Sequence, residues 1–479
     1  MNRRMILFMP LRILTAEALL LLLPAGISFI YREPCAWVFL LCAAGGLAVS
    51  VPLSFLVRPR DKVIYAKEGF VIVALSWVLL SAFGALPFRI SGEIPHYVDA
   101  LFETVSGFTT TGASILRDVT LLSRGMLFWR SFTHWLGGMG ILVFLMTLTN
   151  MSDRPIHIMR AEMPGPIVGK LVPRAKETAK ILYLIYLAMT VLEIVLLTLG
   201  KMPLFEAVIH SMGTAGTGGF GLKPDSLSSY SSFLQWVVTV FMFLFGVNFN
   251  LYYLLLIRRW RDVAKSNELW TYAGIGVAAV VIITPNIMGM CKNFPTALRL
   301  AAFQVSSIMT TTGFSTTDFN LWPQFSKTVL LLLMFIGACA GSTAGGLKVS
   351  RVIILFKVIR RELQKLLHPR AVRVIRMEGK KVEDAVISNT CSYLAVYVVC
   401  LLTCFLIVSM DRVDMETAFS ATAACFNNIG PAFGLAGPMA SYADFDILSK
   451  LTLTASMLLG RLEIFPLLLA LAPTTWIRK

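Results

Sequence analysis

Long hydrophobic segments alternate with short polar ones along most of this 479-residue chain. A helix needs about 20 apolar residues to cross roughly 30 Å of hydrocarbon, and many of the segments approach or exceed that length. They cover approximately residues 11–31, 35–56, 66–88, 125–150, 178–200, 231–257, 268–290, 325–357, 383–410 and 446–473. The pattern predicts an all-α integral membrane protein with ten spans, the first two of which form a hairpin.

Between the two spans of each later pair lies an apolar segment that is too short to cross a membrane. These segments are 95–107, 203–213, 295–307 and 414–425. Each leads into a polar stretch that ends at a glycine, and these stretches are 109–112, 216–219, 310–313 and 427–430. Non-helical backbone at membrane depth is tolerated only where protein buries it or water reaches it. We therefore expect four re-entrant helices around a central ion pore.

The polar stretches belong to an internal repeat. When their glycines are aligned, an alanine falls twelve residues upstream of each one. The glycines are Gly112, Gly219, Gly313 and Gly430, and the alanines are Ala100, Ala207, Ala301 and Ala418. Such self-similarity indicates one structural unit used four times. The predicted organisation is an N-terminal transmembrane hairpin followed by four fused membrane-pore-membrane units, with boundaries at 1–60, 61–153, 154–262, 263–370 and 371–479.

Backbone with small, hydroxyl-bearing side chains and a glycine leaves carbonyl oxygens free to face a dehydrated cation, and four such strands around one axis make a selectivity filter. One Thr-Thr-Thr-Gly run is a weak signal, whereas four polar stretches in register between paired spans are a strong one. The alternative is a fourfold set of structural turns with the pore elsewhere. The predicted cation-binding residues are Thr110, Thr111, Gly112, Thr217, Gly218, Gly219, Thr311, Thr312, Gly313, Asn428, Ile429 and Gly430.

Composition and charge agree with a membrane protein and exclude other classes. With 56% hydrophobic residues, 15% charged residues and a mean hydropathy of +0.73, the chain has too few polar residues to cover a soluble protein of this size. The net charge of +16 comes from basic residues spread between spans, which argues against nucleic-acid binding. The positive-inside rule places the Lys/Arg-rich connections and both termini in the cytoplasm, so the re-entrant helices enter from outside.

The second span of the third unit contains a glycine-rich run, 337–346. Glycine costs roughly 1 kcal/mol relative to alanine at an interior helical position, so we expect this run to open into a polar loop on the permeation path. The spacing of Gly337, Gly341 and Gly345 also fits a close helix crossing of the small-xxx-small kind. Both interpretations remain open at this point.

Charged side chains inside predicted spans need partners or water. Arg461 lies near the middle of the last span, where arginine costs at least about 2.5 kcal/mol unless it is paired or hydrated. It faces the pore, or it pairs with Glu463 or a carboxylate on a neighbouring helix. Lys348 and Arg351 follow the glycine-rich run and are placed to stabilise its carbonyl ends.

Two further positions in the first unit are of interest. Arg130 and His134 share one helical face and are expected to have a structural or interfacial role, at a helix end that reaches water. Glu103 lies nine residues before its filter glycine, and the same position holds His210 in the second unit. Glu103 is expected to attract cations or brace the filter, and His210 either to share that role or to be a packed, hydrogen-bonded residue.

Several motifs resemble the Trk/Ktr superfamily of bacterial potassium transporters. They are 105–114 (VSGFTTTGAS), 307–315 (SIMTTTGFS), 337–346 (GACAGSTAGG) and 460–464 (GRLEI). The resemblance covers nearly the whole chain, and the extra N-terminal hairpin is similar to the Trk membrane subunit. It implies four units that are each like a potassium-channel subunit, a homodimer in the lipid of the bacterial inner membrane, and potassium as the transported ion.

The resemblance also implies a gate and a regulator. The gate would be an intramembrane loop below the filter, with an arginine in the cavity beneath. A separate cytoplasmic nucleotide-binding ring of the TrkA type would regulate the pore, and the basic stretch 357–381 is a plausible docking surface for it or for anionic lipid. The gate residues are then Gly337, Gly341, Ser342, Thr343, Gly345, Gly346 and Arg461.

Other functions are weighed against this one. The filter has a single aligned glycine per unit and Asn428 in the fourth, which predicts modest selectivity for potassium over sodium and leaves open a sodium-dependent Ktr-like transporter or a less selective cation channel. An alternating-access carrier would need two related halves, not four units. No nucleotide-binding or catalytic motif is present, so we expect no cofactor and no enzyme; Ser342 near Lys348 is the nearest approach to a catalytic pair.

Overall fold

The computed structural model describes residues 2–59, 65–140, 175–370 and 373–476, and these are almost entirely helical. The N-terminal hairpin consists of α1 (Arg3–Leu20), its continuation α2 (Leu22–Ile30) and α3 (Cys35–Leu56). The first span therefore starts about eight residues earlier than the hydrophobic pattern predicts. Asn2 explains the start, because its side chain accepts a hydrogen bond from Met5 N at 3.1 Å and caps the helix.

The first two units follow. Unit one contains α4 (Ala66–Gly84), α5 (Leu86–Ser91), the re-entrant helix α6 (Tyr97–Phe108) and α7 (Arg124–Gly138). Unit two contains α8 (Ala175–Leu199), the re-entrant helix α9 (Leu204–Ala215), α10 (Ser232–Phe245), α11 (Phe249–Leu256) and the short α12 (Trp260–Ala264).

Units three and four complete the chain. Unit three contains α13 (Asn267–Ile287), the re-entrant helix α14 (Phe294–Met309), α15 (Gln324–Ile336) and α16 (Val349–Leu367). A two-residue hairpin, β1 (Arg376–Met377) with β2 (Lys380–Lys381), precedes unit four. Unit four contains α17 (Asp384–Val408), the re-entrant helix α18 (Met415–Phe426), α19 (Ile447–Arg461), α20 (Phe465–Leu471) and α21 (Pro473–Trp476).

The hydrophobic pattern is largely confirmed, with corrections at two of the ten spans. Among the described residues, six apolar helices are long enough to cross a membrane, and they run over 3–30, 35–56, 67–91, 179–199, 267–290 and 384–408. The prediction of continuous spans was wrong at two places. At 231–257 the chain bends by 91° between α10 and α11, and at 446–473 it bends by 119° between α19 and α20. Apolar composition alone does not reveal such bends, because both arms are hydrophobic.

Two other second spans are not plain continuous helices: the first runs beyond the described residues, and the second is interrupted where its glycine-rich run predicted a loop. In unit one the predicted span 125–150 yields α7, which ends at Gly138, and residues 141–174 lie outside the described part. In unit three the predicted span 325–357 is a 13-residue apolar helix, α15, then the non-helical stretch 337–348, then α16. The four helices predicted to be re-entrant begin and end within two residues of the predicted segments.

Each re-entrant helix is buried inside its unit. On α6 every residue from Phe102 to Phe108 is buried, and α14 and α18 are buried in the same way towards their C-terminal ends. Trp129 of α7 packs its ring against Phe108 and donates its indole N–H to Gly84 O at 3.0 Å. Because the surrounding helices shield these segments from lipid, their polar C-terminal ends can leave the helix without exposing backbone to hydrocarbon.

Candidate ion-conduction site

All four re-entrant helices end in the same turn. The residue two before each filter glycine has a left-handed backbone, with φ between +53° and +57°. The next residue donates its N–H back to the helix at 2.8–2.9 Å, as in Thr111 N to Ser106 O and Thr312 N to Ser307 O. This is the Schellman arrangement, which satisfies the last helical carbonyls. The left-handed residues are Thr110, Thr217, Thr311 and Asn428.

A left-handed threonine is unusual, because its β-branched side chain crowds the backbone. Three of the four turns nevertheless use threonine there, and the strain persists because the surrounding protein fixes the conformation. The filter glycines are also left-handed, with φ between +75° and +93°. Each polar stretch therefore turns twice within three residues, so its backbone cannot continue as a helix.

The four polar stretches touch one another in a closed ring. A Cβ added to Gly112 would lie 1.9 Å from Gly218 O, and one added to Gly219 would lie 2.0 Å from Thr312 O. Likewise, a Cβ added to Gly313 would lie 2.1 Å from Ile429 O, and one added to Gly430 would lie 2.5 Å from Thr111 O, which returns to the first unit. Each glycine thus packs against the carbonyl one residue before the next unit's glycine. No side chain fits at these positions, which is the physical reason for four glycines.

Side-chain hydrogen bonds hold the ring together. The hydroxyls of Thr109 and Thr111 lie 2.8 Å apart, and those of Thr310 and Thr312 lie 2.7 Å apart. Asn428 links the fourth unit to the first, because its amide donates to Thr111 Oγ1 at 3.0 Å. The same amide donates to Met457 O at 2.9 Å. The asparagine in the fourth stretch therefore supplies a donor between units that a threonine is too short to reach.

Glu103 braces the first stretch from behind. Its carboxylate accepts hydrogen bonds from Ser114 Oγ and Ile115 N, both at 2.9 Å. It also forms an ion pair with Arg130 at 2.5 Å, and both side chains are buried. The prediction that Arg130 and His134 reach water was wrong: their exposed fractions are 3% and 0%. The guanidinium can be buried away from water because Glu103 neutralises its charge.

The two histidines at the filter are packed residues. His134 Nδ1 lies 2.8 Å from Gly107 O, and its ring stacks at 4.1 Å on Phe220. His210 Nδ1 lies 2.8 Å from Glu206 O, within its own helix. Both rings are fully buried. They fill space behind the first and second stretches, as expected for His210.

We define the gating loop as residues 337–348, the non-helical stretch between α15 and α16. It contacts the filter directly, because Gly345 N donates to Thr311 Oγ1 at 2.7 Å. A Cβ on Gly345 would lie 2.5 Å from Asn427 O and 3.0 Å from Asn428 Cβ. Gly337, Gly341 and Gly346 have left-handed backbones. The loop is therefore pressed against the third and fourth filter stretches by backbone that only glycine adopts readily.

Unit two and the first helix of unit three also hold the gating loop. Cys339 N donates to Gly246 O, and Phe249 N donates to Gly341 O, each at 3.1 Å. These contacts fall at the bend between α10 and α11, which explains why that span is broken. Glu268 at the start of α13 accepts hydrogen bonds from Ala340 N at 2.7 Å and Ser350 N at 3.1 Å. Sequence reasoning missed Glu268, although a buried acid within an apolar span is a signal for it.

Arg461 is the last residue of α19, at the bend to α20, and not in the middle of a span. Its guanidinium donates to Thr343 O of the gating loop at 2.8 Å and to Gly138 O at the end of α7 at 2.8 Å. Glu463, which the sequence offered as its partner, instead binds Arg351 through two hydrogen bonds of 2.6 and 2.7 Å. Arg461 therefore joins units one, three and four.

Lys348 and Arg351 lie where the sequence suggested, at the carbonyl end of the gating loop. Lys348 Nζ donates to Ala344 O, and Arg351 donates weakly to Leu347 O at 3.4 Å. The loop lines a cavity of about 30 Å³ together with residues at the ends of α7 and α19. The lining residues are Gly138, Met139, Gly140, Gly341, Ser342, Ala344, Gly345, Gly346, Lys348, Gly460, Arg461 and Glu463.

Comparison with known proteins identifies the family. The family model TrkH, described as a cation transport protein, matches residues 44–270 and 275–476. This chain belongs to the TrkH family. The resemblance inferred from the motifs is thereby confirmed, and so is an all-α, multi-pass membrane protein.

The similarity extends over whole chains. The Trk system potassium uptake protein TrkH of Salmonella typhimurium is 36% identical over 468 residues, 95% of each chain. The Trk system potassium uptake protein TrkG of Escherichia coli K12 is 32% identical over 475 residues, 96% of each chain. The crystal structure of the potassium transporter TrkH from Vibrio parahaemolyticus superposes with a TM-score of 0.89, at 33% identity and with both chains fully covered. These relatives are named as transporters and not as enzymes.

Proposed function

We propose that this protein mediates potassium uptake across the bacterial inner membrane through a channel-like pore. One observation carries the proposal: four glycine-containing turns form a closed ring in which each glycine packs on a carbonyl of the next unit. A ring of that construction fits a cation whose hydration shell is replaced by backbone oxygens. The names of the relatives, each a potassium uptake protein, point to the same ion.

In this proposal the filter is formed by three residues in each unit, the last of which is the aligned glycine. The gating loop closes the ion path below the filter. Thr311 has two roles, because its backbone belongs to the filter and its hydroxyl holds Gly345 of the loop at 2.7 Å. Opening requires the loop to leave Thr311, Glu268 and Arg461. A cytoplasmic nucleotide-binding ring of the TrkA type, acting on a homodimer, would supply the free energy for that movement.

Selectivity over sodium is expected to be modest. Each unit contributes one aligned glycine, and Asn428 replaces a threonine in the fourth. Fewer complete carbonyl rings give fewer tight binding sites in single file. A less selective monovalent cation channel is therefore the second candidate, and a direct comparison of potassium and sodium flux distinguishes the two.

The test uses purified protein in liposomes with an imposed potassium gradient. In Gly313→Ala, the new Cβ would lie 2.1 Å from Ile429 O in a left-handed backbone with φ +86°, so the ring must distort. We expect potassium flux, or the ratio of potassium to sodium flux, to fall by roughly tenfold or more, as a loss of about 1.4 kcal/mol would give.

The matched control is Gly274→Ala. Gly274 belongs to the same unit and lies on α13, and an added Cβ meets nothing within 4 Å. Its flux should equal that of the wild type. If Gly313→Ala also keeps wild-type flux and ion preference while the protein is folded, the ring is a structural turn and the pore lies elsewhere.

A further inference from the structure

A groove of about 330 Å³ opens between α15 of unit three and α18 of unit four. The volume lies within the range of sites that hold small molecules, roughly 300–1,000 Å³. Each of the two helices lines the groove with side chains at helical spacing, and Phe433 lines it as well. The stripes are Lys327, Thr328 and Leu331 on α15, and Glu416, Phe419 and Ser420 on α18.

The groove opens on the apolar outer surface of the protein. Met415, which lines its edge, is 75% exposed, and Leu332, which adjoins Leu331 on α15, is 60% exposed. In a membrane protein such apolar side chains are in contact with lipid chains. A lipid can therefore enter the groove sideways, without crossing water.

The polar end of the groove carries two opposite charges side by side. Lys327 Nζ pairs with Glu416 Oε1 at 2.7 Å, and it also lies 5.4 Å above the ring of Phe433. Both residues are in the first turn of their helices, so the charges stand at one end of two apolar walls. The Glu416 side chain is 51% exposed, so its carboxylate is accessible to a second cation.

We propose that this groove is a binding site for one zwitterionic aminophospholipid of the phosphatidylethanolamine type. Its phosphate would be bound by Lys327, its ammonium by Glu416, and one acyl chain would lie along Leu331 and Phe419. The match is electrostatic: an anionic headgroup without an ammonium leaves the carboxylate of Glu416 facing a negative charge, and a diglyceride offers no charge to either residue, so that Lys327 and Glu416 pair only with each other.

The position links the site to the filter. Phe433 follows the filter glycine Gly430 by three residues, and its N–H donates to Ser420 Oγ at 3.0 Å. A lipid that fills the groove contacts Phe433 and Ser420 together, and so holds the outgoing end of the fourth polar stretch. Only this consequence rests on the proposed transport function; the binding itself does not.

The experiment is native mass spectrometry of the purified protein, together with thermal unfolding in detergent. The lipids added are phosphatidylethanolamine, phosphatidylglycerol or diacylglycerol. The wild type should retain one phosphatidylethanolamine and be stabilised most by it. Leu331→Trp fills the groove and should weaken retention by roughly tenfold, the equivalent of about 1.4 kcal/mol. Leu332→Trp adds the same side chain on the neighbouring exposed face and should retain the lipid.

The headgroup is tested by variants that leave the walls intact. Lys327→Gln should abolish the preference for phosphatidylethanolamine over diacylglycerol, and Glu416→Gln the preference for phosphatidylethanolamine over phosphatidylglycerol, even if Leu331→Trp fails to fold. The proposal is overturned if all three lipids bind equally, if both tryptophan variants retain the lipid equally, or if Leu331→Trp instead changes the ratio of monomer to dimer, which would make the groove a protein interface. If the wild type retains the lipid but shows no potassium flux in liposomes, that result counts against the proposed function and not against the site.

Discussion

Arg461 allows the most direct test of the proposed gate, because its single side chain joins three units next to residues 337–348. Its guanidinium donates to Thr343 O and Gly138 O, each at 2.8 Å. Hydrogen bonds from a charged group contribute roughly 1.5–3 kcal/mol each, so Arg461→Ala removes up to about 3–6 kcal/mol from the closed arrangement. Even if hydrogen bonds to water make up for most of this free energy, a remaining loss of about 2 kcal/mol shifts the open-to-closed ratio roughly 30-fold.

The charge itself adds a second effect. A potassium ion about 6 Å from the guanidinium is repelled by roughly 3 kcal/mol at an effective dielectric constant of about 20. Arg461→Lys separates the two contributions, because lysine keeps the charge but loses the planar fork that reaches two carbonyls. We expect Arg461→Ala to raise both the open probability and the current, and Arg461→Lys to raise mainly the open probability.

The assay is single-channel recording in planar bilayers, with thermal unfolding measured on the same preparations. Arg117→Ala is the matched control, since this arginine pairs with Asp444 at the surface and its side chain is 73% exposed. Its current and stability should be those of the wild type. If Arg461→Ala lowers the melting temperature and leaves current and open probability unchanged, Arg461 is a packing residue and the reasoning about the gate is refuted.

Three further outcomes are expected. Deleting residues 341–345 should raise potassium flux in liposomes and weaken its dependence on a regulatory subunit; flux unchanged in a folded protein would mean that the loop only packs helices. Glu103→Gln should cost about 3–5 kcal/mol, because Arg130 then stays buried without its counter-charge, and a double variant with Arg130→Met should recover part of the melting temperature; no recovery would argue against the ion pair. Asp414 caps α18, and its hydrogen bonds, first of all from the Thr417 hydroxyl, lower its pKa. A carboxyl whose pKa is lowered by folding stabilises the fold at pH values above its unfolded pKa of about 3.9, and it loses that effect as the pH falls through its folded pKa. Asp414→Ala should therefore lower the free energy of unfolding by about 1 kcal/mol at pH 7 and leave it unchanged in acid. An equal loss at both pH values would exclude the charge as the cause.

The sequence by itself determined the membrane class and the location of the four polar stretches that are proposed as the filter. Lipid offers backbone groups no partners, so a spanning segment must be a long apolar helix and is visible as one. The aligned glycines were visible for a different reason: each packs against a neighbouring carbonyl, and a side chain does not fit, since a Cβ on Gly313 would lie 2.1 Å from Ile429 O. Constraints of this kind act on single positions, and single positions can be read from a sequence.

Other features of the filter were not visible. The left-handed threonines, such as Thr311 with φ +57°, run against local preference and are held by surrounding contacts. The link from Asn428 to Thr111 Oγ1 joins residues 317 positions apart. Sequence reasoning treated Asn428 only as a departure from the threonine pattern, because a partner so distant along the chain is defined only once the four units close into a ring.

The gate was decided by tertiary structure. The glycine run in 337–346 indicated that a helix would break, but it fitted a helix crossing equally well. The bends after Phe245 and Arg461 are not visible in apolar composition alone, since the helices on both sides of each bend are hydrophobic. In the folded chain, residues 337–348 bond to Gly246 O at the first bend, and Thr343 O accepts from Arg461 at the second. A hydrogen bond between distant segments can outweigh local helix propensity, and only the folded chain shows which distant segments meet.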